Sequence, residues 1–108
     1  MPFHVQELSF RLIEELRPLI PRIRSRDRAL ADQLMRAASG VGLNISEGRT
    51  SDPGNQRARY FTAAGSADET RAALRIAVGW RYVRSVEVEQ ANRTLDSIVA
   101  ILWKLTRG

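Results

Sequence analysis

Residues 30–48 read Leu30-Ala31-Asp32-Gln33-Leu34-Met35-Arg36-Ala37-Ala38-Ser39-Gly40-Val41-Gly42-Leu43-Asn44-Ile45-Ser46-Glu47-Gly48. Leu30, Leu34, Ala37, Val41 and Ile45 recur at steps of three and four, which aligns them on one face of an α-helix. The spacing predicts a helix over about 26–48, stopped by Gly48. After it, Ser51-Asp52-Pro53-Gly54-Asn55 is the clearest break in the chain.

Three further segments carry the same period. Val5, Leu8, Leu12 and Leu16, joined by Ile13, predict a helix over about 4–17, with Pro18 and Pro21 at its end. A helix over about 56–82 is rich in small residues (Ala63, Ala64, Gly65, Ser66, Ala67, Ala72, Ala73, Ala77), a composition that predicts a buried seam where two axes approach closely. Val88, Ala91, Leu95, Ile98, Leu102 and Leu105 form a heptad-like stripe over about 86–106. No segment alternates as a half-buried strand does. The expectation is one all-α domain spanning 1–108, an antiparallel up-down-up-down four-helix bundle. Because the middle helices outrun the first, overhanging apolar residues should require another subunit to cover them.

Composition narrows the chemistry. The 108 residues contain no cysteine, which excludes disulfide scaffolds and cysteine zinc sites. No apolar run approaches a bilayer span and the start lacks a signal-like pattern, so a cytoplasmic protein with no membrane partner is expected. His4 is the only histidine, no Glu-x-x-His pair exists, and no phosphate-binding glycine loop appears. The expectation is therefore no enzyme, no metal and no cofactor.

Net charge is +5, and sixteen of the seventeen cations are arginine. Such a balance permits polyanion binding, although codon bias in a GC-rich genome produces the same skew. The positive charge concentrates in residues 22–49 and 57–84. Arg22, Arg24, Arg26 and Arg28 alternate through the first interhelix link, where an extended loop would place several on one side as a phosphate-contacting strip. Arg57, Arg59, Arg71, Arg75 and Arg84 would extend that strip along the third predicted helix. Trp80 and Tyr82 lie close by in sequence, suited to base stacking but better suited to packing at an oligomer interface.

The motif Gln33-Leu34 to Asn44-Ile45-Ser46-Glu47-Gly48 resembles the hallmark of the four helix bundle proteins, also called 23S rRNA intervening-sequence proteins. Gly65-Ser66 with Glu69, Leu74, Ile76, Ala77 and Tyr82 resembles a second family run in the right order. The resemblance covers about residue 5 to the end. It departs in the loop Asp52-Pro53-Gly54-Asn55-Gln56-Arg57 and by one residue between Tyr60 and Gly65. The family's glutamate and glutamine fall on Arg71 and Ala73, and its glycine before the tyrosine is Arg81. The resemblance implies a bundle assembled into a homopentamer. A related branch, the accessory variability determinants of diversity-generating retroelements, implies a basic surface for nucleic acid and a reverse transcriptase partner.

Within the motif, Arg36, Asn44, Ile45, Glu47, Gly48, Gly65, Ser66 and Glu69 are expected to be structural. Asn44 and Glu47 share a helical face and suit capping or cross-linking, with Arg36 or an arginine of the third helix opposite a buried Glu47. Adjacent Asp68 and Glu69 diverge by about 100° on a helix. They suit ion pairs to Arg36, or from Asp68 to Arg71 or Arg75, better than a shared ligand. The function expected is a non-enzymatic homo-oligomer with a basic surface contacting RNA or DNA. The alternative is an adaptor ring that docks a partner enzyme and has little nucleic-acid affinity of its own.

Overall fold

The computed structural model describes residues 2–107; the ends of the expected domain, residues 1 and 108, lie outside the described residues. Five α-helices and one 3-10 turn follow in order, with no strand among the described residues. They are α1 Pro2–Leu16, α2 Ile20–Arg26, α3 Arg28–Arg49, α4 Pro53–Gly79, the turn Ser85–Val88 and α5 Glu89–Arg107. The four long helices lie side by side, with α1 and α4 each flanked by α3 and α5. Gln6 donates to the Gly42 carbonyl at 3.1 Å, while Leu16 and Leu34 line one hollow further along, so α1 and α3 run antiparallel. The Asp27–Tyr82 hydrogen bond, with Gly48 packed on Tyr60, sets α3 against α4 in the same sense. The particle extends 42 × 22 × 19 Å.

Periodicity placed the core well. Val5, Leu8, Leu12 and Leu16 of α1 are buried, as are Val88, Ala91, Leu95, Ile98 and Leu102 at and along α5. Each such leucine or isoleucine contributes roughly 1.5–3 kcal/mol by leaving water. Ile13, placed beside the α1 stripe, instead sits 39% exposed on the outer side.

Four expectations change. Residues 20–26 form a helix, not an extended link: Pro21 occupies its first turn, where proline is tolerated, and Ile23 is buried. That helix packs on α3, with Leu19 and Ile23 in the core, so it makes up the length α1 lacks. The overhang expected from the short first helix does not exist. Gly48 does not stop α3, which continues to Arg49 with no glycine at positive φ. Its role is close approach: a Cβ there would sit 2.6 Å from Tyr60 Cε1. The close seam between α3 and α4 thus rests on Gly48 and Gly40 of α3 against Tyr60 and Ser66, with Ala63, Ala67 and Ala77 buried. Gly65, expected in that seam, is exposed, and its Cβ would meet nothing within 4 Å.

Helix starts explain the other boundaries. Asp27 breaks the chain at φ −157° and accepts from Leu30 N, capping α3. Asp52 accepts from Asn55 N, and Pro53 supplies the pre-set first turn of α4. The apparent break at 51–55 is therefore largely a helix start, and α4 begins three residues before Gln56.

Candidate nucleic-acid interface

The arginines at the first link follow from the helicity of α2. At 100° per residue, Arg22 and Arg26 fall within about 40° of each other, and Arg24 points the other way. Arg24 turns to α3, with Nη1 2.8 Å from Asp32 Oδ1 and Nη2 3.0 Å from Met35 Sδ. Arg22 and Arg26 turn to the connection between α4 and α5. Arg22 forks onto the Glu87 carboxylate, and the Arg26 guanidinium sits 5.6 Å from the centre of the Tyr82 ring. Glu87 also accepts from Arg84 N at 2.8 Å. The Arg22 hydrogen bond, then the Arg84 amide, draw its carboxyl down to about 2.

Tyr82 is held from below. Its hydroxyl donates to Asp27 Oδ2 at 3.2 Å; burial first, then the Asp27 charge, raise its pKa. The same Asp27 caps α3 through Oδ1, so one carboxylate joins α2, α3 and the α4–α5 connection. Tyr82, expected at an oligomer interface, thus spends its hydroxyl and one ring face inside the chain.

Just before Tyr82 the chain reverses. Arg81 N donates to Val78 O and Tyr82 N to Ala77 O, both at 2.9 Å, the paired bonds that close a helix through a left-handed residue. That residue is Arg81, at φ 62°. Glycine is usual there because it has no Cβ to strain, which explains why the resembled pattern carries glycine at this place. Val83 then returns to the core. Trp80, 67% exposed, and Arg81 are left at the tip of the turn.

One end of the bundle therefore gathers Arg22, Arg26, Arg28, Arg81 and Arg84, with Trp80 among them and Arg75 flanking on α4. Among the described residues Arg28, Arg75 and Arg81 form no ion pair. The structure does not bring Arg57 and Arg59 to this end. They lie near the start of α4, roughly 30 Å away at 1.5 Å per residue. There Arg59 pairs with Glu47 at 3.0 Å and Arg57 sits over Phe61. Arg81 lies outside the predicted strip; its signal in the sequence is an arginine directly after Gly79-Trp80 at a helix end.

The motif residues form no pocket of chemistry. Asn44 Nδ2 donates to Gly40 O at 2.8 Å within its own helix. Glu47 is exposed, not buried, and its partner is Arg59 of α4 rather than Arg36. Ile45 is fully buried and Ser66 packs against Gly40. Arg36 and Glu69 share one polar hollow between α3 and α4. Arg71 reaches Asp96 of α5 at 2.9 Å, not Asp68. No group of three or more His, Cys, Asp or Glu that could hold a metal ion occurs among the described residues, and no helix there is long and apolar enough to cross a membrane.

A second surface lies between α1 and α3. Ile13, Leu16, Ile20, Leu34 and Met35 line an open apolar hollow, continued along the groove by Phe10 and Leu43.

The family model described as 23S rRNA-intervening sequence protein matches residues 3–104. No protein with a curated description matches the chain. A solved Bacteroides thetaiotaomicron structure, described as a protein with unknown function from the S23 ribosomal protein family, superposes with a TM-score of 0.88. The match covers 96% of this chain and 99% of that one at 18% identity, so the likeness is one of fold.

Proposed function

The chain belongs to the 23S rRNA-intervening sequence protein family, and from that premise we propose that it acts in the cytoplasm by binding rather than catalysis, as a homo-oligomer whose basic end contacts RNA or DNA. The observation that carries this is the convergence of Arg26, Arg28, Arg81 and Arg84 on one end, beside Arg22, whose own fork is held by Glu87. Arginine forks suit phosphate oxygens, and phosphate contacts give affinity without base specificity. Binding should therefore fall steeply with salt and depend little on sequence. Fluorescence anisotropy with labelled RNA and DNA over a salt series tests this; affinity unchanged by salt overturns phosphate contact.

Self-association, as a homopentamer, is the second half of the proposal. The groove carrying Phe10, Ile13, Met35 and Leu43 supports it, since contiguous exposed apolar surface marks a protein contact. The same groove favours the alternative, an adaptor that docks a partner enzyme such as a reverse transcriptase. Light scattering after size exclusion separates the two: a mass near five subunits supports the pentamer, and a monomer leaves the groove to a different protein.

A further inference from the structure

We propose that the turn after α4 is a single-strand site, in which one unpaired base stacks on Trp80 while Arg81 and Arg84 hold the flanking phosphates. This rests on the nucleic-acid reading above and makes it narrower.

Among the described residues, Trp80 is the most exposed of the large hydrophobic side chains, at 67%. It sits at the helix C-cap, on backbone fixed by its own N–H to Ile76 O at 3.0 Å. An indole in that position stands on fixed backbone and is open to solvent. The chain's other tryptophan, Trp103, differs: Arg107 lies 5.3 Å over its ring, so one face already carries a cation. Trp80 has no such partner among the described residues.

The neighbouring backbone points the same way. Arg81 occupies a left-handed position at φ 62°, which a non-glycine residue adopts only at a cost in strain. Its side chain returns nothing to the fold: it is exposed and forms no hydrogen bond or ion pair among the described residues. The helix closure sets that φ, but an arginine in place of glycine adds nothing to the fold, which leaves its side chain free for a ligand. Arg84, three residues on, has a side chain 78% exposed, with only a distant 3.9 Å contact to Glu87. Exposed cations thus flank an open aromatic face on one tight turn. Bases within a duplex are already stacked on both faces, whereas an unpaired base offers a free one. The geometry therefore selects single strands.

The test compares labelled oligouridylate with an RNA duplex of equal length at low salt. Wild-type protein should prefer the single strand. Trp80→Ala should weaken single-strand binding roughly 5- to 100-fold, the loss of one stacked base. Duplex binding should not change, and Trp80→Phe should retain part of the affinity. Trp103→Ala, at the far end, should change neither, and in Trp103→Phe protein the remaining indole emission should be quenched by oligouridylate. Arg81→Gly should bind less tightly while melting no lower than wild type, a split that a merely structural residue would not give. Single strand and duplex bound equally, with Trp80→Ala silent, overturns the stacking site and leaves the wider reading intact. No binding of either at low salt overturns both. A Trp80→Ala protein that loses subunits in light scattering assigns Trp80 to a protein contact and overturns the site.

Discussion

The Asp27 carboxylate accepts from the Tyr82 hydroxyl through Oδ2 at 3.2 Å and from the Leu30 amide through Oδ1 at 3.0 Å. One side chain thereby caps α3 and pins the turn that carries the arginines. Asp27→Ala should lose both bonds and cost about 1–3 kcal/mol, a cap plus a partly buried hydrogen bond. Tyr82→Phe should cost only about 0.5–1.5 kcal/mol, because the cap survives. Urea unfolding of the two variants and their combination measures the shared part; equal losses would mean that the cap contributes nothing.

Gly48 and Gly65 should respond to alanine in opposite directions. A methyl on Gly48 would collide with the ring of buried Tyr60, so Gly48→Ala should destabilise by about 1–3 kcal/mol. At Gly65 there is open space on an exposed helix interior. Gly65→Ala should stabilise the bundle by up to about 1 kcal/mol through helix propensity. Thermal melting read by circular dichroism checks both signs.

The Tyr60 hydroxyl is buried with no hydrogen-bond partner among the described residues, and burial raises its pKa. Removing an unsatisfied polar group from a core leaves nothing orphaned behind. Tyr60→Phe should be neutral or stabilising by up to about 1 kcal/mol. A clear fall in denaturant midpoint would reveal a bond to that oxygen.

Acid should loosen the turn through Glu87. Its folded value of about 2 lies below its ordinary value of 4.5. The stabilisation is therefore present above pH 4.5, and it is lost as pH falls from there through about 2. Glu87→Gln should flatten the fall in melting temperature across that window and leave neutral-pH binding geometry to the remaining arginines. A melting profile with the same slope in both proteins would contradict the assignment.

Apolar spacing made the four long helices and most of the core legible, because period and burial follow one geometry. What escaped was set by local chemistry at boundaries. Pro21 looked like a breaker yet starts α2, and Asp52-Pro53 looked like a loop yet is a cap followed by a first turn. In both cases proline is harmless because its missing N–H would be unpaired anyway. Gly48 shows the reverse error, a glycine placed by a neighbour's ring rather than by φ. The candidate site was half legible: Arg22, Arg26, Arg28 and Arg84 converge, whereas Arg57 and Arg59 lie a helix length away. Which arginines meet depends on helix phase and chain reversal, and net charge carries no information on either.

Two double variants of equal charge test the basic end most directly. Arg28→Ala with Arg84→Ala removes two cations from the proposed interface; Arg57→Ala with Arg59→Ala removes two from the opposite end. Single-strand affinity of both, measured by anisotropy across a salt series, should fall only for the first pair. Its slope of log affinity against log salt should shrink by about 1.4, because two phosphates are no longer neutralised by the protein. Equal weakening in the two variants would mean that diffuse charge, not this end of the bundle, attracts nucleic acid.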